Sequence, residues 1–306
     1  MISFGSDPEF MLSRDGEIYS AIGIVQGDIE NRITIKGHQF YYDNVMAECA
    51  VRPAYSTEKA VESFRECFQI YADMVKPFRL LPQASYDFPE SQLTHPAARH
   101  VGCSPDTCAY RLTMMDAPKD EIQGSNFRSC GGHIHLGHPI LTSDGPEPII
   151  AVYLLDLFLG TASLWLDRDP TSAARRGLYG QAGRYRVKDY GIEYRSLGNF
   201  WLQSPDLVRW IHNVCEYTVN CLESGCASDI WSFDEDLLYE SENPSDAFNC
   251  TLYDVDALRE AIDTGNKDLA QNHYAIVRSL LPTAMVADLD RLISSNHDFY
   301  RDWSLE

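Results

Sequence analysis

Residues 131–137 read GGHIHLG. In a strand, residues i and i+2 face the same way. His133 and His135 would therefore share one side, with Ile134 and Leu136 on the other. One such pair says little, because a solvated strand face carries polar pairs routinely. The pattern recurs, however. Asp7 and Glu9 pair beside Phe4 and Phe10, Arg184 and Arg186 flank Tyr185, and Glu193 and Arg195 alternate with Ile192 and Tyr194. Glu48 stands alone among Val45, Met46, Ala47, Ala50 and Val51. Collected on one concave sheet face, these side chains would form a floor of carboxylates, imidazoles and guanidiniums.

Such a floor is expensive to desolvate unless its charges are compensated. Divalent cations would offset the acids, and phosphates the arginines. Carboxylates mixed with one imidazole suit Mg²⁺ or Mn²⁺ better than a closed structural zinc site. Nearby arginines suit phosphoryl transfer, where they neutralise charge on the transferring group. Neither the GxxxxGK[ST] phosphate loop nor a kinase HRD/DFG set is present, so use of ATP would need another scaffold.

The chain has 306 residues, 44% of them hydrophobic, enough for a large core. Its 45 acids against 25 lysines and arginines give a net charge of −20, which argues against nucleic-acid and anionic-membrane partners. Nine cysteines lie scattered with no CxxC, the usage of reduced thiols in a cytosol. The opening MISFGSDPEF has no basic or apolar signal region. The stretch IIAVYLLDLFLGTASLWL (149–166) is apolar enough to raise the membrane question, but Asp156 interrupts it and a buried helix is expected.

Strands are expected over 2–12, 17–25, 33–42 and 45–52, followed by an amphipathic helix from Thr57 that Pro77 stops. LLPQASY is strand-like, and GCSPDTCAY (102–110) is turn-rich, so Asp106 reads as a turn residue. A helix spans 148–167, and amphipathic helices are expected over 205–224, 254–264, 267–282 and 284–296. The expected class is α+β, with a largely antiparallel sheet and a helical C-terminal portion.

The order of motifs is more specific than any one of them: GSDPEFML, DNVMAECAVRPA, GGHIHLG, YGQAGRYR, then YGIEYRSLGNFW. It resembles the phage phiEco32-like carboxylate–amine ligases (COOH.NH2 ligase type 2), which are similar to the glutamine synthetase and glutamate–cysteine ligase superfamily. The resemblance covers roughly residues 1–203. It implies a catalytic core over 1–204, with a helical extension over 205–306 packed on it.

The resemblance further implies an antiparallel half-funnel flanked by helices, with ATP entering one end, the substrate carboxylate the other, and two or three Mg²⁺ or Mn²⁺ ions between. A carboxylate would be phosphorylated and the acyl phosphate attacked by an amine. On this pattern Asp7, Glu9, Glu48, His133 and Glu193 are the expected metal ligands, and His135 is the nucleotide contact. Arg184 and Arg186 would contact the phosphates, and Arg195 phosphate or substrate. Arg175 and Arg176 could reach phosphate or simply cap a helix end. Arg176 is taken with the nucleotide contacts, and Lys188 is left as an ordinary surface residue. The glycines before His133 would let the nucleotide approach the backbone.

The implied substrates are small-molecule or peptide carboxylates and amines, and the implied setting is a bacterial cytosol, with a phage-encoded origin open. Aspartate at position 7 shortens one ligand arm relative to glutamine synthetase, and the lack of the loop that guards the ammonia site and of a clear second glutamate beside Glu48 favours an amine larger than ammonia. Two other classes compete: a metal-dependent hydrolase built on His133, His135 and a carboxylate, and a non-catalytic phage protein that kept the fold.

Overall fold

The structure is a computed structural model that describes residues 1–99, 105–116, 124–241 and 243–305. Cys103 and the start of the 102–110 stretch lie outside the described residues. The strands are β1 (Ser3–Ser6), β2 (Glu9–Arg14), β3 (Glu17–Tyr19), β4 (Ile33–Ile35), β5 (His38–Asp43), β6 (Met46–Ala54), β7 (Arg79–Leu81) and β8 (Ser85–Asp87). There follow β9 (Asp106–Cys108), β10 (Thr113–Met115), β11 (Phe127–Ser129), β12 (Ile134–Gly137), β13 (Arg184–Lys188), β14 (Gly191–Tyr194), β15 (Trp231–Phe233) and β16 (Phe248–Cys250).

One antiparallel sheet runs β10-β9-β13-β14-β12-β1-β6-β2-β3, with β5 also on β6, β4 on β5 and β7 on β2. The protein is thus α+β with a large antiparallel sheet. Two expected strands are broken. Asp7 and Pro8 separate β1 from β2, and the Pro8 carbonyl accepts from the Cys49 amide instead of continuing a ladder. Residues 33–42 turn at Lys36–Gly37, both with positive φ, which makes them a hairpin, not one strand. LLPQASY likewise splits into β7 and β8.

Helix α1 (Thr57–Val75) starts where the Ser56 side chain accepts from the Lys59 amide. It buries Ala60, Val61, Phe64, Phe68, Tyr71, Ala72 and Val75, the positions its three-and-four spacing selects. Helix α2 (Glu147–Leu166) is the apolar segment, and 89% of its most apolar window is buried inside the molecule. At Asp156–Gly160 it widens into a π turn. Helix α3 (Ser172–Arg176) is short, and α4 (Pro205–Ser224) is capped by Ser204 and ended by left-handed Gly225. Beyond it lie α5 (Glu235–Glu240), α6 (Val255–Thr264), α7 (Gln271–Leu280), α8 (Thr283–Ser294) and α9 (Phe299–Trp303). The hairpin of β15 and β16 interrupts a region expected to be helical; its strands are only three residues long, too short for a period-two pattern to register.

Helices cover one sheet face. Phe4 of β1 packs on Phe64 and Trp201, and Phe10 of β2 on Phe68 and Phe299. Each fully buried ring contributes roughly 1.5–3 kcal/mol. One hydrophobic core reaches from Ile2 to Leu305, so residues 205–305 share the core of the sheet. This burial fixes which way each strand faces. With Phe4, Ile134, Leu136, Ile192 and Tyr194 turned to the helices, Gly5, His135 and Glu193 must face the other side.

Candidate active site

The pleat and the register together assemble the floor. Gly5 lies opposite His135, His135 opposite Glu193, and Glu193 opposite Arg186. On the other flank Glu9 lies opposite Glu48, and Glu48 opposite Tyr41. Asp7, in the break between β1 and β2, bridges the two halves. Its Oδ1 is 3.2 Å from both His133 Nδ1 and His135 Nε2. Burial would raise the Asp7 pKa, but the two imidazoles outweigh it and hold the carboxyl well below its usual range.

Glu193 is 1% exposed and held by cations: Arg186 Nη1 at 3.2 Å, Lys188 Nζ at 2.7 Å, and a close contact from Arg195. Despite burial and the repulsion of Asp7, His133, Arg195 and His135 bring its pKa down to about 2. Lys188, read as a surface residue, is thus part of the floor.

Asp106 corrects another expectation. It lies in β9, not in a turn, is buried, and joins two arginines: Arg184 Nη2 at 2.5 Å and Arg195 Nε at 3.2 Å. A three-residue strand gives too little alternation to reveal it.

The opposite flank is dominated by acids. Ligand oxygens of Glu9, Asp43 and Glu48 all lie within 4.8 Å of one another. Glu9 accepts from the Gly131 amide, and Glu48 accepts from Tyr41 Oη at 2.6 Å. Burial, then Asp43, pushes Glu9 up to about 7. Burial, then Glu9, Asp7 and Asp43, pushes Glu48 well above its usual value. Mutually repelling carboxylates of this kind, Glu48 buried and Glu9 and Asp43 half-buried, fit a divalent cation, whose charge would remove the penalty. Asp43 was missed because it ends β5 at the DN turn, where a turn aspartate is the ordinary reading.

A second group with ligand atoms within 4.8 Å of one another is Asp7, His135 and Glu193. His133 stands beside it, its Nδ1 3.8 Å from Glu193 Oε1 and 3.4 Å from Arg195 Nη1. Burial and Arg195 hold the His133 pKa below normal, which leaves the ring neutral and able to act as a ligand. His135 responds in the other direction. Burial lowers its pKa, but Asp7 outweighs that and raises it, and Nδ1 meets the Tyr190 hydroxyl.

The first two glycines of GGHIHLG are required by close packing. A Cβ at Gly131 would lie 2.6 Å from His133 Nε2, and one at Gly132 would lie 2.7 Å from the Gly198 carbonyl and the Trp201 indole nitrogen. That space is filled by the protein's own site and core, so a side chain at either position would clash.

Arg176 is not brought to the floor. Its Nη2 reaches Ser163 Oγ of α2 at 3.3 Å, on the helical side. Its neighbour Arg175, 2% exposed, is the one that interacts electrostatically with Glu9 and Arg195. In a helix of five residues the sequence carries no signal for which of two adjacent arginines faces the sheet.

The arrangement thus grades across one sheet face, from clustered acids (Glu9, Asp43, Glu48), through Asp7 and two imidazoles, to Glu193 ringed by cations. It can hold divalent cations at one flank and neutralise an anionic group at the other. No curated protein matches the chain. Residues 117–229 match the family model described as phage phiEco32-like COOH.NH2 ligase-type 2, and the matched stretch carries His133, His135, Arg184, Arg186, Glu193 and Arg195.

Proposed function

We propose that the protein is an ATP- and Mg²⁺-dependent carboxylate–amine ligase that forms an amide or peptide-like bond through an acyl phosphate, on a glutamine synthetase-like half-funnel. The observation that carries this reading is the grading of charge across one sheet face, with clustered acids adjoining clustered arginines. Glu9, Asp43 and Glu48 would hold one cation, and Asp7, His135 and Glu193, with His133 beside them, another. Bound ATP and its metal ions would supply a transferable phosphoryl group and charge neutralisation on it.

The chain's own residues do the rest. Arg184, Arg186 and Arg195 present guanidiniums to developing phosphoryl charge, pre-oriented by Asp106 and Glu193. Lys188 adds a fourth cation. His135, turned by Tyr190, lies at the edge of this group and is placed to contact the nucleotide. No side-chain nucleophile is needed, because the chemistry is positioning and electrostatics. The buried free thiols fit a reducing cytosol.

The test is incubation of the protein with Mg²⁺–ATP and a panel of amino-acid and peptide pairs, following ADP and coupled product by mass spectrometry. ADP formed only when both a carboxylate and an amine are present supports the reading. Substrate cleavage without ATP would replace it with a metal-dependent hydrolase. Failure to bind either Mg²⁺–ATP or ADP would point to a non-catalytic protein.

A further inference from the structure

Asp156 lies in the π turn of the most apolar helix and is fully buried. It is on the helix side of the sheet, behind the floor. An isolated buried carboxylate is costly, and π turns within helices occur frequently at functional sites. The Tyr110 hydroxyl lies among the neighbours of Asp156, and three further neutral groups, clustered around the site, donate hydrogen bonds to it. Oδ2 accepts from the Gly183 amide at 2.6 Å, Oδ1 from Tyr194 Oη at 2.7 Å, and Ser196 Oγ lies 3.1 Å from Oδ1. The Ser196 hydroxyl is shared with the Gln181 carbonyl at 2.9 Å.

Those three positions bracket the site. Gly183 immediately precedes Arg184, at the start of β13. Tyr194 lies between Glu193 and Arg195, and Ser196 follows Arg195. The Arg195 amide donates to the Arg184 carbonyl at 2.9 Å, closing the same end of the pair. Because neighbouring residues of a strand point to opposite faces, pinning the Tyr194 hydroxyl from behind sets the rotation of β14 about its axis. That rotation sets the aim of Glu193 and Arg195 in front.

We infer that Asp156 is a positioning residue, a three-armed clamp through which helix α2 sets the orientation of Glu193, Arg195 and Arg184 on the far face of the sheet. The inference rests on the ligase reading for its purpose, but its test does not require turnover.

The test is calorimetric titration of the full chain with Mn²⁺ alone, for wild type, Asp156→Asn, Tyr194→Phe and Leu157→Ala. Leu157 is buried in the same π turn and makes none of these bonds, so Leu157→Ala reports the effect of destabilising the helix. Asp156→Asn should weaken Mn²⁺ binding by on the order of tenfold, as outer partners of metal ligands do when changed. Tyr194→Phe, which keeps the carboxylate and removes one arm, should weaken it less and in the same direction. Leu157→Ala should lower the melting temperature and leave the Mn²⁺ affinity of the folded protein unchanged. Equal weakening in Leu157→Ala, or unchanged affinity in both Asp156→Asn and Tyr194→Phe, overturns the clamp. If Asp156→Asn does not fold, Tyr194→Phe decides alone. Wild type that binds neither Mn²⁺ nor Mg²⁺–ATP overturns the ligase reading itself, a result separate from wild-type binding that the variants leave intact.

Discussion

Glu48 and Glu193 are both buried acids of the floor, and their surroundings predict opposite responses to the same change. Glu193 sits among Arg186, Lys188 and Arg195. Glu193→Gln leaves those cations facing a neutral amide, and breaking a buried pair from one side costs about 3–5 kcal/mol. ADP formation should fall at least about 100-fold, and the metal-free melting temperature should drop, while far-UV circular dichroism keeps its native shape. Glu48 is crowded by Glu9, Asp7 and Asp43. Glu48→Gln removes a repelling charge, so the metal-free melting temperature should hold or rise, and the extra stability gained on adding Mg²⁺ should shrink. Thermal scans in EDTA and in Mg²⁺ check both. A fall in both variants, or a rise in both, would contradict the two-flank electrostatics. Period two picked out Asp7 with Glu9, His133 with His135 and Glu193 with Arg195 as polar pairs, and apolar neighbours picked out Glu48; their roles as ligands came only from the family resemblance. Asp43, Asp106 and the inward-facing Arg175 were not legible, since each lies at the end of an element or in a very short one, where alternation cannot be read.

At the scale of elements, β9 joins the sheet through two backbone register pairs and one buried acid. Arg184 lies opposite Cys108 and Tyr185 opposite Thr107, while Asp106 ties β9 to Arg184 and Arg195. Asp106→Ala should therefore cost about 3–5 kcal/mol, and amide exchange over 106–108 should accelerate more than over β12. Uniform exchange changes across the sheet would show that Asp106 does not hold this edge. By contrast, Ser204→Ala removes only the side-chain cap that accepts from the Leu207 amide, so a loss of about 1 kcal/mol by chemical denaturation is expected. Helix α4 was legible from its amphipathic pattern over 205–224. The β15–β16 hairpin and the π turn were not, because both depend on what packs against them.

For the whole molecule, the buried acids set the pH dependence of stability. Burial raises Glu9 and Asp156 to about 7 from ordinary values of 4.5 and 3.8. The unfolded chain therefore loses these protons first, and the stability they contribute below pH 4 is lost as pH rises toward 7. Asp7 and Glu193 are depressed, so their contribution is lost only as pH falls below the ordinary carboxylate range. His135, raised, adds to the loss near neutrality, and His133, lowered, opposes it. The metal-free protein should melt several degrees higher at pH 5 than at pH 7.5, and Glu9→Gln should flatten that slope. A metal-free melting temperature that climbs from pH 5 to 7.5 would contradict the assignment. The α+β class was legible because strand-like segments fill the first two hundred residues and amphipathic helices the last hundred. The sheet order was not, since it depends on pairings between distant segments.

Those distant pairings also set a timetable for synthesis. β1 occupies residues 3–6, yet it lies inside the sheet between β6 and β12, and Ser6 bonds to a carbonyl 127 residues further along. At translation rates of roughly 5–20 residues per second, β1 emerges on the order of ten seconds before β12 exists. During that interval it can pair with β6 and lay Phe4 on α1, but one of its edges stays open. Until the GGHIHLG segment leaves the ribosome, the nascent chain carries an unpaired inner strand next to its acids, and their negative charge helps to keep that edge from joining another chain.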